Sequence, residues 1–295
     1  MHLMARIRAG EVLVCDGAMG TELIARGLKA GECPESWCVS RPVAVREIAS
    51  AYVGAGANIV ETNSFGGSSM KLAAFGLAGE VRKLNAAAAR VAKCAAGECA
   101  LVAGSVGPTG VFVKGEGGQI EAAELYSVFK EQVLALAEGG ADAICVETMW
   151  SVKEAEQAIR AAKENTSLPV ICMFTFNAGR RGFRTAVGVT PEQAAVAAVA
   201  SGADVVGSNC GNGIEQMVEI AKLMRVAVPA TPLIIQANAG LPVFENDATV
   251  YKETPEYMAS RVSELISAGV NIIGGCCGTT PTHIRAIKAA IADAR

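Results

Sequence analysis

A short phrase recurs four times along the chain and organises its pattern of apolar and polar positions. Each copy reads as a small residue, a glycine, an alanine or valine, an asparagine or aspartate, and then an apolar pair; the copies begin at Ala55, Gly139, Ser201 and Ala268. The glycine suits the left-handed residue that ends a helix, and the apolar pair suits a strand that is buried on both faces. We therefore predict a helix end followed by a strand at each copy.

Four further apolar runs lie between these copies, at residues 12–15, 100–103, 170–173 and 233–236. Intervening segments have the length of helices, for example 41–54, 121–138, 151–164 and 214–226. Capped helix starts, with a hydroxyl before a first-turn proline, are indicated at Thr190, Thr254 and Thr280. Eight strands alternating with helices predict an α/β fold, a single (β/α)8 TIM barrel over residues 1–295. An open doubly wound sheet is the alternative.

The composition narrows the classes of function. Hydrophobic residues make up 51% of the 295 positions and aromatic residues only 5%, which suits short buried strands under alanine-rich helices. A formal net charge of −3 offers no basic field for nucleic acid. No apolar run approaches a membrane span, and the N-terminus lacks the apolar core of a secretion signal. We expect no nucleic-acid or membrane partner, and a cytoplasmic protein whose ten cysteines stay reduced.

Three cysteines lie at predicted strand ends, where a barrel carries its active site. Cys276 and Cys277 stand between glycines after the strand at 270–273, and Cys210 follows the strand that starts near 205. Three thiolates suit zinc and leave one of its four positions open, as in catalytic sites. Plain packing is the alternative, because cysteine often behaves as a small buried hydrophobe. We apply that interpretation to Cys15, Cys94, Cys145 and Cys172, and we expect Cys33, Cys38 and Cys99 to be loop or surface thiols.

These motifs carry a family resemblance. Residues 16–21 (DGAMGT), 61–65 (ETNSF), 209–211 (NCG) and 274–279 (GGCCGT) together resemble the homocysteine S-methyltransferase family, whose members use a zinc-bound (β/α)8 barrel. The match runs from about Gly10 to the C-terminus in the family's order. Within the family, residues 104–109 and 71–77 make the chain most similar to the homocysteine-binding module of cobalamin-dependent methionine synthase.

The resemblance implies a zinc-dependent methyl transfer to the thiolate of homocysteine, which gives methionine. Zinc would be held by Cys210, Cys276 and Cys277, with the substrate sulfur as fourth ligand. Asn238 matches the family position that occupies the fourth place before homocysteine arrives. It could equally be a turn residue before Gly240.

The amino-acid end of such a substrate needs an acid for its ammonium and donors for its carboxylate. Asp16 and Glu147 are the candidates for the ammonium, although each could instead cap a helix at the rim. The turn formed by Gly17 to Thr21 can present amides to the carboxylate. Asn63 and Ser105 are expected to orient the substrate.

The resemblance further implies a methyl donor. Because the chain carries no folate, cobalamin or activation module, we expect methylcobalamin on a separate corrinoid protein. Alternative donors are S-methylmethionine, S-adenosylmethionine and betaine, and selenocysteine is an alternative acceptor. A different class of function, a thiol metal store or a redox sensor, would not need the acids at the rim.

Overall fold

Eight parallel strands close into a barrel. The structure is a computed structural model that describes residues 2–245 and 248–294. The strands in chain order are β1 Leu13–Val14, β2 Ile59–Glu61, β3 Leu101–Val106, β4 Ala143–Met149, β5 Val170–Phe174, β6 Asn177–Gly179, β7 Gly182–Arg184, β8 Val205–Asn209, β9 Leu233–Ala237, β10 Val243–Glu245, β11 Ala248–Val250 and β12 Val270–Gly275. The large sheet runs in the order β1-β12-β9-β8-β5-β4-β3-β2, and a parallel bridge from Cys15 to Ile59 joins its two ends. The barrel prediction is confirmed over the open sheet.

Helices cover the outside of the barrel. They are α1 Leu3–Arg8, α2 Met19–Ala25, α3 Trp37–Ser40, α4 Pro42–Gly54, α5 Ser69–Ala73, α6 Val81–Ala96, α7 Leu125–Glu138, α8 Val152–Asn165, α9 Pro191–Ala200, α10 Ile214–Ala227, α11 Pro255–Ser260, α12 Val262–Ser267 and α13 Pro281–Asp293, with 3-10 turns at Pro34–Ser36, Ala78–Glu80 and Ala122–Glu124. The four helices predicted by length correspond to α4, α7, α8 and α10. The predicted caps are also confirmed, since Thr190 and Thr254 accept first-turn amides and Thr280 forms a capping box.

The repeated phrase joins the barrel strands in pairs. Its glycine has a positive φ of 80° to 103° in every copy. Two residues after the glycine stands the asparagine or aspartate. Its side-chain oxygen accepts a hydrogen bond from a backbone amide of the preceding barrel strand, with a donor–acceptor distance of 2.8 to 3.1 Å. The pairs are Asn58 with Val14, Asp142 with Val102, Asp204 with Val170, and Asn271 with Leu233. Each copy therefore fixes β1 to β2, β3 to β4, β5 to β8, or β9 to β12. This is why the phrase marks every second strand.

The barrel lumen changes from apolar to polar along its axis. Its lower part is packed with Leu13, Ile59, Ile171, Met173, Val205, Ile234 and Ile272. Acids, amides and thiols occupy the carboxyl ends of the strands. No helix in the described part of the chain is long and apolar enough to cross a membrane.

Three features differ from the sequence predictions. Two antiparallel hairpins, β6–β7 and β10–β11, follow β5 and β9 at the rim and were not predicted. Cys94 is exposed rather than packed, because it lies on the outer face of α6. Cys33 and Cys38 are buried rather than exposed, because Cys33 packs with Leu72, Val81 and Leu84 and Cys38 packs in the main hydrophobic core.

Candidate metal centre and substrate pocket

The three predicted cysteines meet at the mouth of the barrel. Cys210 follows β8, and Cys276 and Cys277 follow β12; their sulfur atoms all lie within 4.8 Å of one another. The Sγ atoms of Cys210 and Cys277 are 3.7 Å apart. All three side chains are partly exposed, which leaves the cluster open to a ligand from the mouth.

Unusual backbone geometry aims these thiols. Cys210 adopts a φ of 60°, a left-handed conformation that is rare for a residue with a side chain and is often found at functional sites. A Cβ at the next residue, Gly211, would lie 2.8 Å from the carbonyl oxygen of Phe176. A Cβ at Gly278 would lie 2.1 Å from the ring of Tyr251. Glycine after each cysteine motif therefore lets the Cys210 turn pack against Phe176 and lets the Cys277 turn pack against Tyr251.

The cluster favours a thiolate at Cys277. Hydrogen bonds from Cys210 and then Cys276 lower the pKa of Cys277 to about 3. The hydroxyl of Tyr251 adds a further hydrogen bond to the same sulfur. Tyr251 had no signal in the sequence, since it follows the unpredicted hairpin β10–β11.

Two predicted acids lie in the lumen beside the cysteines. Glu147 accepts hydrogen bonds from the Ser105 hydroxyl and, at 2.9 Å, from Asn209 Nδ2. Asp16 Oδ2 accepts the backbone amide of Glu61 at 2.9 Å. Burial raises the pKa of Asp16 to about 7 and the pKa of Glu147 well above its usual value. In the described part of the chain, no salt bridge reaches either acid, so neither has a counter-ion of its own.

Asn209 links the acid to the cysteines. Its Nδ2 lies 3.9 Å from Cys276 Sγ, and it also donates to Thr148 Oγ1 at 2.8 Å. Its Oδ1 accepts the amide of Thr148 at 2.8 Å, and Thr148 has a positive φ of 57°. The sequence placed Asn209 at a strand end, but nothing in the pattern indicated that it would reach across to β4.

The turn from Gly17 to Thr21 is tied to the segment after Cys277. A Cβ at Gly17 would lie 2.6 Å from Thr279 Oγ1, and that hydroxyl accepts the amide of Ala18 at 3.2 Å. Thr21 Oγ1 accepts the amide of Gly278 at 3.1 Å. The start of α2 is thereby held against the turn that follows Cys277, and its first amides have no acceptor within the helix.

Asn238 and Asn63 are placed differently. Asn238 lies at the cysteine turn, because the amide of the following residue, Ala239, donates to Cys277 O at 3.0 Å. Among the described residues, Asn238 Oδ1 is a buried acceptor without a hydrogen-bond partner. Asn63 Nδ2 instead donates a hydrogen bond to Pro34 O at 2.8 Å, so its side chain points to the 3-10 turn Pro34–Ser36. The structure does not bring the Asn63 side chain to the cysteine cluster.

Comparisons with known proteins agree on one family. The family model described as homocysteine S-methyltransferase matches residues 13–291. Methionine synthase of Mycobacterium tuberculosis is 33% identical over 305 residues, which cover 96% of this chain and 25% of that protein. Methionine synthase of Mycobacterium leprae is 33% identical over 310 residues, which cover 96% of this chain and 24% of that protein. The chain thus spans about a quarter of the length of these curated relatives.

A solved structure shares the whole fold. The metallated form of the homocysteine methyltransferase MmuM from Escherichia coli has a TM-score of 0.81 and 25% sequence identity, and the match covers 97% of this chain and 99% of that one. The oxidized form of the same protein has a TM-score of 0.79 at 25% identity and covers 97% and 98% of the two chains.

Proposed function

The chain belongs to the homocysteine S-methyltransferase family, and we propose that it transfers a methyl group to the sulfur of homocysteine through a zinc centre, giving methionine. One observation carries this proposal. Three thiols and an unpartnered amide oxygen meet at the same barrel mouth as a pair of buried acids. A thiol metal store would need the cysteines but not the acids. The proposal treats residues 1–295 as one barrel domain.

The residues at the mouth fit a zinc ion. Two thiolates on tetrahedral zinc, each with a bond of about 2.3 Å, are separated by about 3.8 Å. Cys210 and Cys277 already stand 3.7 Å apart. Cys276 would supply the third sulfur, and the orphan Oδ1 of Asn238 would supply the fourth ligand until substrate replaces it. Bound there, zinc would lower the pKa of the substrate thiol and keep its sulfur nucleophilic.

The protein's own groups would hold the other end of homocysteine. Glu147 and Asp16 would accept hydrogen bonds from the substrate ammonium, which supplies the positive charge that neither acid finds among the described residues. Ser105 and Asn209 fix the Glu147 carboxylate, so its orientation is set before substrate binds. The first amides of α2, within the turn from Gly17 to Thr21, would donate to the substrate carboxylate. Orientation of the thiol toward the mouth follows from these contacts.

We propose a methylcorrinoid protein as the donor. Support comes from the 33% identity to the methionine synthases over 96% of this chain. The hairpins β6–β7 and β10–β11 flank the Cys210 turn, and the exposed Leu241 and Phe244 lie at the second of them. Exposed apolar groups around a catalytic mouth suit a partner surface. All ten cysteines are free, which supports a cytoplasmic location.

Metal content and homocysteine binding, measured together, test the zinc proposal. The purified protein should hold about one zinc per chain and bind homocysteine, and Cys277→Ser should lose both. Cys94→Ser is the matched control, because that thiol is exposed on α6, and it should keep both. Wild-type protein that holds no metal after reconstitution, or homocysteine binding that the Cys277 change leaves intact, would favour a redox role for the cysteines.

A panel of donors tests the corrinoid proposal. Methylcobalamin, a methylated corrinoid protein, S-methylmethionine, S-adenosylmethionine and betaine are each offered with homocysteine or selenocysteine. Methionine formed from the corrinoids supports the proposal. Turnover with only a sulfonium compound or betaine would reject the corrinoid donor and retain the homocysteine methyltransferase.

A further inference from the structure

Glu61 is a third acid in the lumen, and the mechanism above does not use it. It ends β2, and its Oε1 accepts a hydrogen bond from Cys145 Sγ at 3.3 Å. Cys145 and Glu147 lie on the same face of β4, because side chains two residues apart in a strand point the same way. The carboxyl group of Glu61 therefore lies in the lumen one layer below that of Glu147.

Glu61 differs from the other two acids in being partly exposed, whereas Asp16 and Glu147 are buried. Asp16 is only 1% exposed, and its two oxygens accept from the Glu61 amide and from Cys15 Sγ. Glu147 is held by a hydroxyl and an amide. Glu61 remains partly exposed, and the thiol of Cys145 is a weak donor. Of the three acids, Glu61 is therefore the most accessible to an incoming donor.

A buried amide beside Glu61 lacks a donor. Gln236 hydrogen-bonds to the Glu61 side chain, and its Nε2 also lies 3.5 Å from Gly275 O. Its Oε1 is buried and has no partner among the described residues. Gln236 and Asn238 lie two residues apart, and Gln236 pairs with Gly274, just before the cysteine turn. The unpaired Oε1 of Gln236 can therefore accept a hydrogen bond from an N–H group of a bound ligand.

The charge balance in the lumen indicates a cationic group. Burial and then the charge of Asp16 raise the pKa of Glu61 to about 8. No salt bridge in the described ranges involves any of the three lumen acids. An ammonium group would offset this crowding, because its positive charge and its three N–H groups can be shared among the lumen carboxylates and the free amide oxygen.

Resting on the proposed function, we propose that Glu61 and Gln236 complete the pocket for the ammonium group of homocysteine. Glu61 supplies a carboxylate acceptor and Gln236 supplies the carbonyl oxygen Oε1. Glu61 is thus a specificity-determining residue that distinguishes an amino-acid thiol from a simple thiol acid.

Calorimetric binding to the zinc-loaded protein tests this assignment with two ligands. One is L-homocysteine and the other is 4-mercaptobutyrate, which keeps the thiol and carboxylate but lacks the amine. Glu61→Gln should weaken homocysteine binding by about tenfold or more, since a charged hydrogen bond is lost, and should leave 4-mercaptobutyrate binding unchanged. Unchanged binding of the second ligand also shows that the variant is folded and loaded with metal.

Two further variants sharpen the test. Glu154→Gln is the matched control, because Glu154 is a fully buried acid that accepts from Thr109 N at 2.7 Å, and it should bind both ligands like the wild type. Gln236→Leu should weaken homocysteine alone by roughly threefold to tenfold, as expected for a neutral hydrogen bond. It provides a second route to the answer if Glu61→Gln does not fold.

The outcomes separate this inference from the proposed function. A wild type that binds homocysteine, together with Glu61→Gln and Gln236→Leu variants that bind it equally well, would overturn the ammonium assignment alone. Equal weakening of both ligands in these variants would also overturn it, because the residues would then act on the fold or the metal. A wild type that binds 4-mercaptobutyrate but not homocysteine would overturn the proposed function and this assignment with it.

Discussion

Replacing Asn209 is the sharpest test of how the site is held together. Asn209→Leu keeps a similar volume but removes both polar atoms. The Thr148 amide would lose its acceptor at 2.8 Å, and Glu147 Oε2 would lose its donor at 2.9 Å. Each of these two buried groups left unsatisfied costs about 1 to 3 kcal/mol, so we expect a loss of about 2 to 6 kcal/mol in the free energy of unfolding.

Urea denaturation of the metal-free protein measures this loss, and calorimetry measures homocysteine binding. Because Glu147 would keep only the Ser105 hydroxyl as a tether, homocysteine affinity should fall by about tenfold. Thr148→Val is the control: it removes one hydroxyl and keeps the backbone amide of residue 148 bonded to Asn209 Oδ1. It should cost about 1 kcal/mol.

Asn209→Asp separates geometry from charge. The new side chain retains an acceptor for the Thr148 amide, but it places a second carboxyl group against Glu147. Two such groups share one proton at low pH and repel once that proton is lost, so the destabilisation should grow with pH. The reasoning is refuted if Asn209→Leu loses less than 1 kcal/mol and binds homocysteine like the wild type.

Three other predictions follow from single contacts. Tyr251→Phe removes the hydroxyl that bonds to Cys277, so chelator competition should show about tenfold weaker zinc binding. Gly207→Ala places a Cβ 1.8 Å from the carbonyl oxygen of Ile234, and urea denaturation should show a loss of about 3 kcal/mol or more. Burial raises the pKa of Asp16 to about 7, so the folded state binds the proton of this carboxyl more tightly than the unfolded state does. The free energy of unfolding of the protein therefore falls as the pH rises from about 4 to about 7. Asp16→Asn should therefore gain stability relative to the wild type across that pH range, by at most about 4 kcal/mol.

Matched controls accompany these predictions. Tyr126→Phe removes a surface hydroxyl that bonds to Glu164 and should leave zinc binding unchanged. Gly20→Ala meets no atom within 4 Å and should be neutral or slightly stabilising within α2. Zinc binding that is equal in the two tyrosine variants, or equal stability of the two glycine variants, would contradict the packing argument. A pH-independent difference at Asp16 would contradict the burial argument.

The barrel was predictable because its signal is local and repeated. A glycine with positive φ and an asparagine or aspartate that accepts the preceding strand's amide occur in every copy of the phrase, so sequence spacing and structure coincide. The exposure of Cys94 was also accessible to periodicity: the buried residues Ala88, Ala92 and Ala96 of α6 lie four apart, and position 94 falls off that stripe.

The hairpins and the cross-strand contacts were not predictable for a physical reason. Residues 177–184 contain two glycines and three arginines and bury little apolar surface, so no period of two marks the strands. The reach of Asn209 to Glu147 depends on the register of β8 against β5 and β4, which one sequence does not encode locally. The position of Asn63 followed from its strand end, but the direction of its amide did not.

In the proposed function, two sides of the barrel lumen share the recognition of homocysteine. The turns after β8 and β12 present the three thiols, and the ends of β1, β2 and β4 present acids. Both sides carry acidic groups whose ionised forms are negative, and the protein places no lysine or arginine in salt-bridge contact with the carboxyl groups within the described residues. Burying so many acidic groups costs free energy. Two cations would offset that cost: a metal ion beside the thiols and an ammonium group beside the carboxyl groups. The side-chain amide of Asn209 contacts Glu147 on one side and Cys276 on the other. A substitution at the acids should therefore alter the thiols through that amide, and a substitution at the thiols should alter the acids.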